Sequence, residues 1–111
     1  MSAYFVARIT IKDRETYAAY EKRFMAVFRQ FDGELLAVED SPRVLEGQWS
    51  GTRTVLLRFP DETALRRWYD SPAYQEIARL RHAGADADIA ILSARDDMNR
   101  PTTSTTASMP M

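Results

Sequence analysis

Hydrophobic and polar residues alternate from Ala3 to Ile11, with Phe5, Ala7, Ile9 and Ile11 on one side and Tyr4, Val6, Arg8 and Thr10 on the other. A period of two predicts a strand. After Asp13 the period changes. Tyr17, Tyr20, Phe24, Val27, Phe28 and Phe31 recur at spacings of three and four, which predicts a helix from the Asp13 cap to about residue 31, stopped by Asp32-Gly33. A short second strand follows over Glu34–Glu39, then a turn at Asp40-Ser41-Pro42 and a small extra strand at Val44-Leu45-Glu46. Residues 52–59 form the third main strand, with Val55, Leu57 and Phe59 opposite Thr54, Leu56 and Arg58.

Pro60-Asp61 ends that strand and caps a helix carrying Ala64, Leu65 and Trp68. Ser71 is a good N-cap and Pro72 suits a first helical turn, so the helix restarts there. Tyr74, Ile77, Ala78 and Arg81 continue one helical face to about Gly84, and residues 88–93 form the last strand. From Asp96 onward the sequence turns to Asn, Arg, Pro, Thr, Ser and Met without a period. The expected organisation is one folded domain over residues 1–95 and a disordered tail over 96–111.

The order β-α-β-β-α-β predicts an α+β fold of ferredoxin-like type: a four-stranded antiparallel sheet with helices on one face. The other face would carry Tyr4, Val6 and Leu56 beside Arg8 and Arg58. Apolar side chains of that size on central strands make an unusual patch if left in water. A second copy of the chain laid over the sheet is the simplest cover, so a two-fold homodimer through the open face is expected.

With 111 residues, 45% apolar and 28% charged, the chain is one globular domain. The net charge of -1 gives no electrostatic footprint for nucleic acid or a membrane surface, and no apolar run approaches a membrane span. Met1-Ser2-Ala3-Tyr4 lacks the basic and apolar regions of a secretory signal, so a cytoplasmic location is expected. The absence of cysteine excludes disulfides, thiol catalysis and Cys-metal sites. Asp86 and Asp88 have no His at ligand spacing, and neither a metal nor a cofactor is expected.

Trp68, Tyr69, Ser71 and Tyr74 gather at the helix junction and could wall a small-molecule cleft, with hydroxyls fixing orientation; equally, Trp68 could plug the core and Ser71 serve as a cap. Arg8 and Arg58 share the open sheet face and could meet an anionic group, although pairing with Glu39, Glu46 or Asp88 would also satisfy them. In the expected register Arg8 lies opposite a residue near Val55, and Arg58 opposite one near Phe5. Glu46 on a Gly-flanked loop could act as a base if buried, and Trp49 fits a lid or an interface. These eight residues form the expected ligand site, in a pocket between the open face and the aromatic junction.

Leu45-Glu46-Gly47-Gln48-Trp49, the run Arg53-Thr54-Val55-Leu56-Leu57-Arg58-Phe59-Pro60, and Trp68-Tyr69-Asp70-Ser71-Pro72-Ala73-Tyr74 resemble the family catalogued as domain of unknown function 1330. The resemblance covers nearly all of the folded part and implies a ferredoxin-like fold dimerising into an α+β barrel, without an established activity. Barrels of this type also include haem-degrading and cofactor-free monooxygenases. The latter resemble one another in an Asn, Trp and His constellation. Here Asn99 in the tail is the only Asn and His82 the only His, which weakens that reading.

The third strand lacks the aromatic pattern of RNA-binding sheets, which argues against a nucleic-acid partner. The expectation is a small-molecule-binding homodimer. The alternatives are an isomerase or monooxygenase using Glu46 or His82, and a structural dimerisation module with no ligand. Whether any reaction is catalysed stays open.

Overall fold

The computed structural model describes residues 1–95. The expectation of a disordered tail, and Asn99 with it, lies outside them. The elements are β1 (Ala3–Ile11), α1 (Arg14–Phe28), β2 (Glu34–Glu39), β3 (Arg53–Phe59), α2 (Glu62–Tyr69), α3 (Pro72–Gly84) and β4 (Ala85–Ser93). Each predicted helix start is a side-chain cap. Asp13 accepts from the Thr16 amide, Asp61 from Ala64 and Ser71 from Tyr74. The Thr16 hydroxyl, and then its amide, hold the Asp13 carboxyl below the usual carboxylate range.

The four strands run in the order β2-β3-β1-β4, antiparallel throughout, giving a ferredoxin-like α+β fold. Alternation in β1 decides the layers: Ala3, Phe5, Ala7 and Ile9 are buried beneath the helices, whereas Tyr4, Val6 and Arg8 keep partial exposure on the other face. Leu57 and Phe59 of β3 join the buried set.

Several boundaries differ from the sequence expectation. Residues 44–46 form no strand, and Leu45 is 96% exposed. Helix α1 ends at Phe28, after which turn hydrogen bonds carry the chain to Phe31. Strand β4 starts at Ala85 rather than Asp88, because β1 offers it partners along its whole length, from Ile11↔Ala85 to Ala3↔Ser93. The register agrees with the expectation to within one position: Arg8 faces Thr54 and Arg58 faces Tyr4. In β2, an irregularity between Leu35 and Ala37 turns Leu35 and Val38 to the helix side, opposite Leu57 and Val55.

Helix α1 is fastened at both ends. The Gly84 carbonyl accepts from the amides of Lys12 at 2.8 Å and Asp13 at 3.0 Å, tying the end of α3 to the start of α1. At the other end Phe28 packs edge-on to Phe59 at 5.8 Å. Gly33 permits this contact, since a Cβ there would fall 2.5 Å from the Phe28 ring. Between these ends α1 packs chiefly along α3 rather than onto the strands.

Candidate functional site

Because α1 leans on α3 rather than on the sheet, space remains between its inner face and the strands. The cavity there measures about 190 Å³. Its floor is Phe5, Ala7, Val55 and Leu57; Tyr17, Tyr20 and Phe24 of α1 form the roof; Leu35 and Val38 flank it on the β2 side. The walls are overwhelmingly apolar, with polar groups confined to tyrosine hydroxyls, Glu21, Arg53 and Arg81.

The polar groups form two sets. Arg53 is ion-paired with Glu21 and makes a two-pronged contact with Asp40, Nε–Oδ1 at 2.7 Å and Nη2–Oδ2 at 3.1 Å. Its guanidinium also lies 5.7 Å from the Tyr17 ring centre. The second set is buried. Tyr20 and Tyr74 join hydroxyl to hydroxyl at 2.8 Å, and Arg81 donates from Nε to the Tyr74 hydroxyl at 3.3 Å. Arg81 is only 4% exposed, and its Nη2 has no hydrogen-bond partner.

Burial raises the pKa of Tyr20 far above the usual phenol value, with the neighbouring Tyr74 adding to the effect. Burial also raises Tyr17, against the pull of nearby Arg53. Both phenols are therefore neutral hydrogen-bonding groups at ordinary pH. For Arg81, burial works against the charge, but Tyr74 and Tyr20 outweigh it and leave the pKa raised. The cavity thus holds a permanent cation.

The predicted site residues do not assemble into one pocket. Trp68 and Tyr74 are fully buried on the helix side of the sheet, while Arg8 and Arg58 lie on the opposite face. Within one subunit the sheet separates them. Trp68 stacks on Phe59 at 5.4 Å and lies edge-on to Phe5 at 5.3 Å, the geometry of a core plug. Ser71 caps α3 through Tyr74 N at 3.1 Å and donates to the Trp68 carbonyl at 2.8 Å. Tyr69 is half-buried and borders a separate groove between α2 and β4.

On the open face the arginines stand four strand positions apart, about 13 Å at the usual rise, and do not form one clamp. Arg8 lies 5.4 Å from the Trp49 ring centre, and the Trp49 indole donates to Thr54 Oγ1 at 2.8 Å. Arg58 pairs loosely with Glu34 at 3.8 Å. Glu46 is an exposed loop residue, His82 is exposed on α3, and neither lines the cavity. None of the eight predicted residues lines the cavity; Tyr74 reaches it through its hydroxyl contact with Tyr20. Helical spacing puts Arg81 on the apolar face of α3 without giving it a role. A lone cation at helical spacing from Tyr74, Ile77 and Ala78 was the available signal.

Fold and cavity define a small ferredoxin-like α+β domain with a half-open, tyrosine-lined pocket between α1 and the sheet. The chain belongs to the family described as Domain of unknown function (DUF1330), whose model matches residues 2–94. No curated protein matches. Among solved structures, the chain resembles RPA0582 of Rhodopseudomonas palustris, a protein of unknown function, at 18% identity and TM-score 0.71, over 86% of this chain and 83% of that one. It also resembles SnoaB of Streptomyces nogalater, a cofactor-independent oxygenase, at 19% identity and TM-score 0.60, over 89% and 98% of the two chains. A third is a dimeric ferredoxin-like protein of unknown function from Thermobifida fusca, at 11% identity and TM-score 0.61, over 85% and 92%. Identities at this level speak for the fold alone.

Proposed function

We propose that the protein is a homodimer, closed through the open face of its sheet, and that each subunit binds a small, mainly apolar organic molecule beneath α1. The cavity carries this reading. The space is a half-open pocket of about 190 Å³, bounded by buried Phe5, Ala7 and Leu57 within and by exposed Leu35 and Val38 at its side. An engineered apolar cavity of roughly 150 Å³ accommodates benzene. The chamber here therefore has room for one ring with a short substituent. Its aromatic roof and aliphatic floor favour such a guest over water.

Support for the dimer comes from the other face. Trp49 is 47% exposed and Leu92 53% exposed, beside partly exposed Tyr4, Val6 and Leu56. A ferredoxin-like neighbour described as dimeric agrees with this cover. No helix among the described residues is long and apolar enough to cross a membrane, which is compatible with the cytoplasmic location expected from sequence. An enzymatic role at Glu46 or His82 gains nothing from the geometry, since both stand apart from the cavity. The likeness to an oxygenase supports only the shared fold.

Native mass spectrometry of protein purified without added ligand tests both halves. The expected result is a dimer carrying up to two copies of a small adduct, released on denaturation. A monomer would remove the dimer. Failure of every member of a single-ring fragment set to perturb the amide NMR signals of Phe5, Val55 and Leu57 would remove the ligand site.

A further inference from the structure

The charge inside the cavity narrows the chemistry of its guest, an inference that rests on the cavity being a ligand site. Two guanidinium groups line the space. Arg53 is answered by Glu21 and Asp40. Arg81, the more deeply buried of the two, has no carboxylate at ion-pairing distance among the described residues, and its Nη2 is unpartnered. Its polar surroundings are phenols: Tyr74 at hydrogen-bond distance, with Tyr20 and Tyr69 close enough to act on its charge. A buried cation without an anion is a costly arrangement.

Counting protons sharpens the point. Arg81 can only donate, so Tyr74 accepts at its oxygen from Nε. Tyr74 is fully buried and shares a single hydrogen bond with the Tyr20 hydroxyl at 2.8 Å, so one of the two phenol protons has no acceptor within the pair, and Tyr20 lines the cavity. Arg81 Nη2 and that one phenol proton are left with nothing to donate to, on walls that are otherwise apolar apart from Tyr17 and the Glu21–Arg53 pair. That set asks for a compact anionic acceptor on an apolar body.

We propose that the cavity is a binding site for a small monocarboxylic acid with a body of about one ring. Its carboxylate sits between Arg81 and Tyr20, and its apolar part lies over Phe5, Val55 and Leu57. Arg81 and Tyr20 are binding residues in this assignment, and Tyr74 is a positioning residue that orients both.

Phenylacetate and its neutral amide, phenylacetamide, are near-equal in shape and differ in charge, so their affinities for the intact protein separate the two levels of the reading. Both should shift the amide NMR signals around Phe5 and Val55, with phenylacetate bound about tenfold or more tighter, as expected for hydrogen bonds to a charged group. In Arg81→Met the amide should still bind and the preference for the acid should collapse. Tyr20→Phe, a milder change, should weaken the acid more than the amide. Equal affinities in the native protein would overturn the carboxylate assignment and leave a neutral-ligand site standing. A preference that survives both substitutions would overturn the assignment to Arg81 and Tyr20. Binding of neither compound, with no shift at any cavity residue, would overturn the acid proposal; failure of neutral single-ring fragments as well would remove the ligand site beneath it.

Discussion

Arg81 and Tyr74 lie seven residues apart on α3, and the Nε of the first donates to the phenol oxygen of the second at 3.3 Å. The same oxygen lies 2.8 Å from the Tyr20 hydroxyl, so three side chains bind α1 to α3 across the top of the cavity. The arrangement leaves the Nη2 of the guanidinium without a partner. Stability and binding are therefore expected to pull in opposite directions at this position.

Arg81→Met should raise the stability of the ligand-free protein. It removes a buried unpaired charge, keeps the bulk, and leaves the Tyr20–Tyr74 bond in place. A gain of about 1–3 kcal/mol is expected, in line with other replacements of buried charge by apolar groups. Denaturant unfolding of the ligand-free variant measures it; a loss of stability would mean that the guanidinium is compensated in solution.

Alkaline pH should unfold the protein through its tyrosines. Burial raises Tyr20 and Tyr17 above their unfolded values, so the folded state favours the neutral phenols. That contribution is fully present below about pH 10, the unfolded phenol value, and is lost progressively as pH rises above it. Ultraviolet titration of tyrosinate should show Tyr17 and Tyr20, among the five tyrosines, ionising only as the near-ultraviolet circular dichroism collapses. Ionisation of all five before unfolding would contradict their burial.

Ser71→Ala should cost about 1 kcal/mol, the usual price of a lost helix cap. Ser71 accepts from the Tyr74 amide and donates to the Trp68 carbonyl, so both α2 and α3 lose a partner. The midpoint of thermal unfolding should fall by several degrees. Binding of phenylacetate should stay unchanged, because the Arg81–Tyr74 contact does not involve the serine hydroxyl.

Leu56→Asp should separate the subunits without unfolding them. Leu56 sits on the open face beside Val6, where a carboxylate is tolerated in water and not in an apolar interface. Sedimentation velocity should report a monomer with native circular dichroism. Trp49, half exposed in the single chain, should then become more accessible to acrylamide quenching, whereas Trp68 at 0% exposure should stay protected. A variant that remains dimeric would place the interface elsewhere.

The layers of the fold could be read from period alone. Two-residue alternation in β1 separated Phe5, Ala7 and Ile9 from Tyr4, Val6 and Arg8, and three hydroxyl or carboxylate caps marked the helix starts. The alternation also bounds the strand register, since a slip of one would set Arg8 of the open face against Val55 of the helix face rather than against Thr54. The site was readable only in part. Trp68, Tyr69 and Tyr74 stood out as an aromatic cluster, but local sequence does not say which side of a sheet a helix will cover. Arg8 and Arg58 lie across the sheet from that cluster. Arg81 fell within an apolar stripe as one cation among many, and only its burial without a carboxylate sets it apart.

Helix α1 behaves as a beam anchored at both ends, by the Gly84 carbonyl at its start and by Phe28 over Gly33 and Phe59 at its finish. A beam so held cannot swing as a door. The space beneath it is bordered instead by half-exposed Leu35 and Val38 of the edge strand and by Met25, whose unbranched thioether side chain turns easily. Side-chain rotation at that border is faster than displacement of a helix. A pocket roofed by a fixed helix can thus change its opening without the fold rearranging.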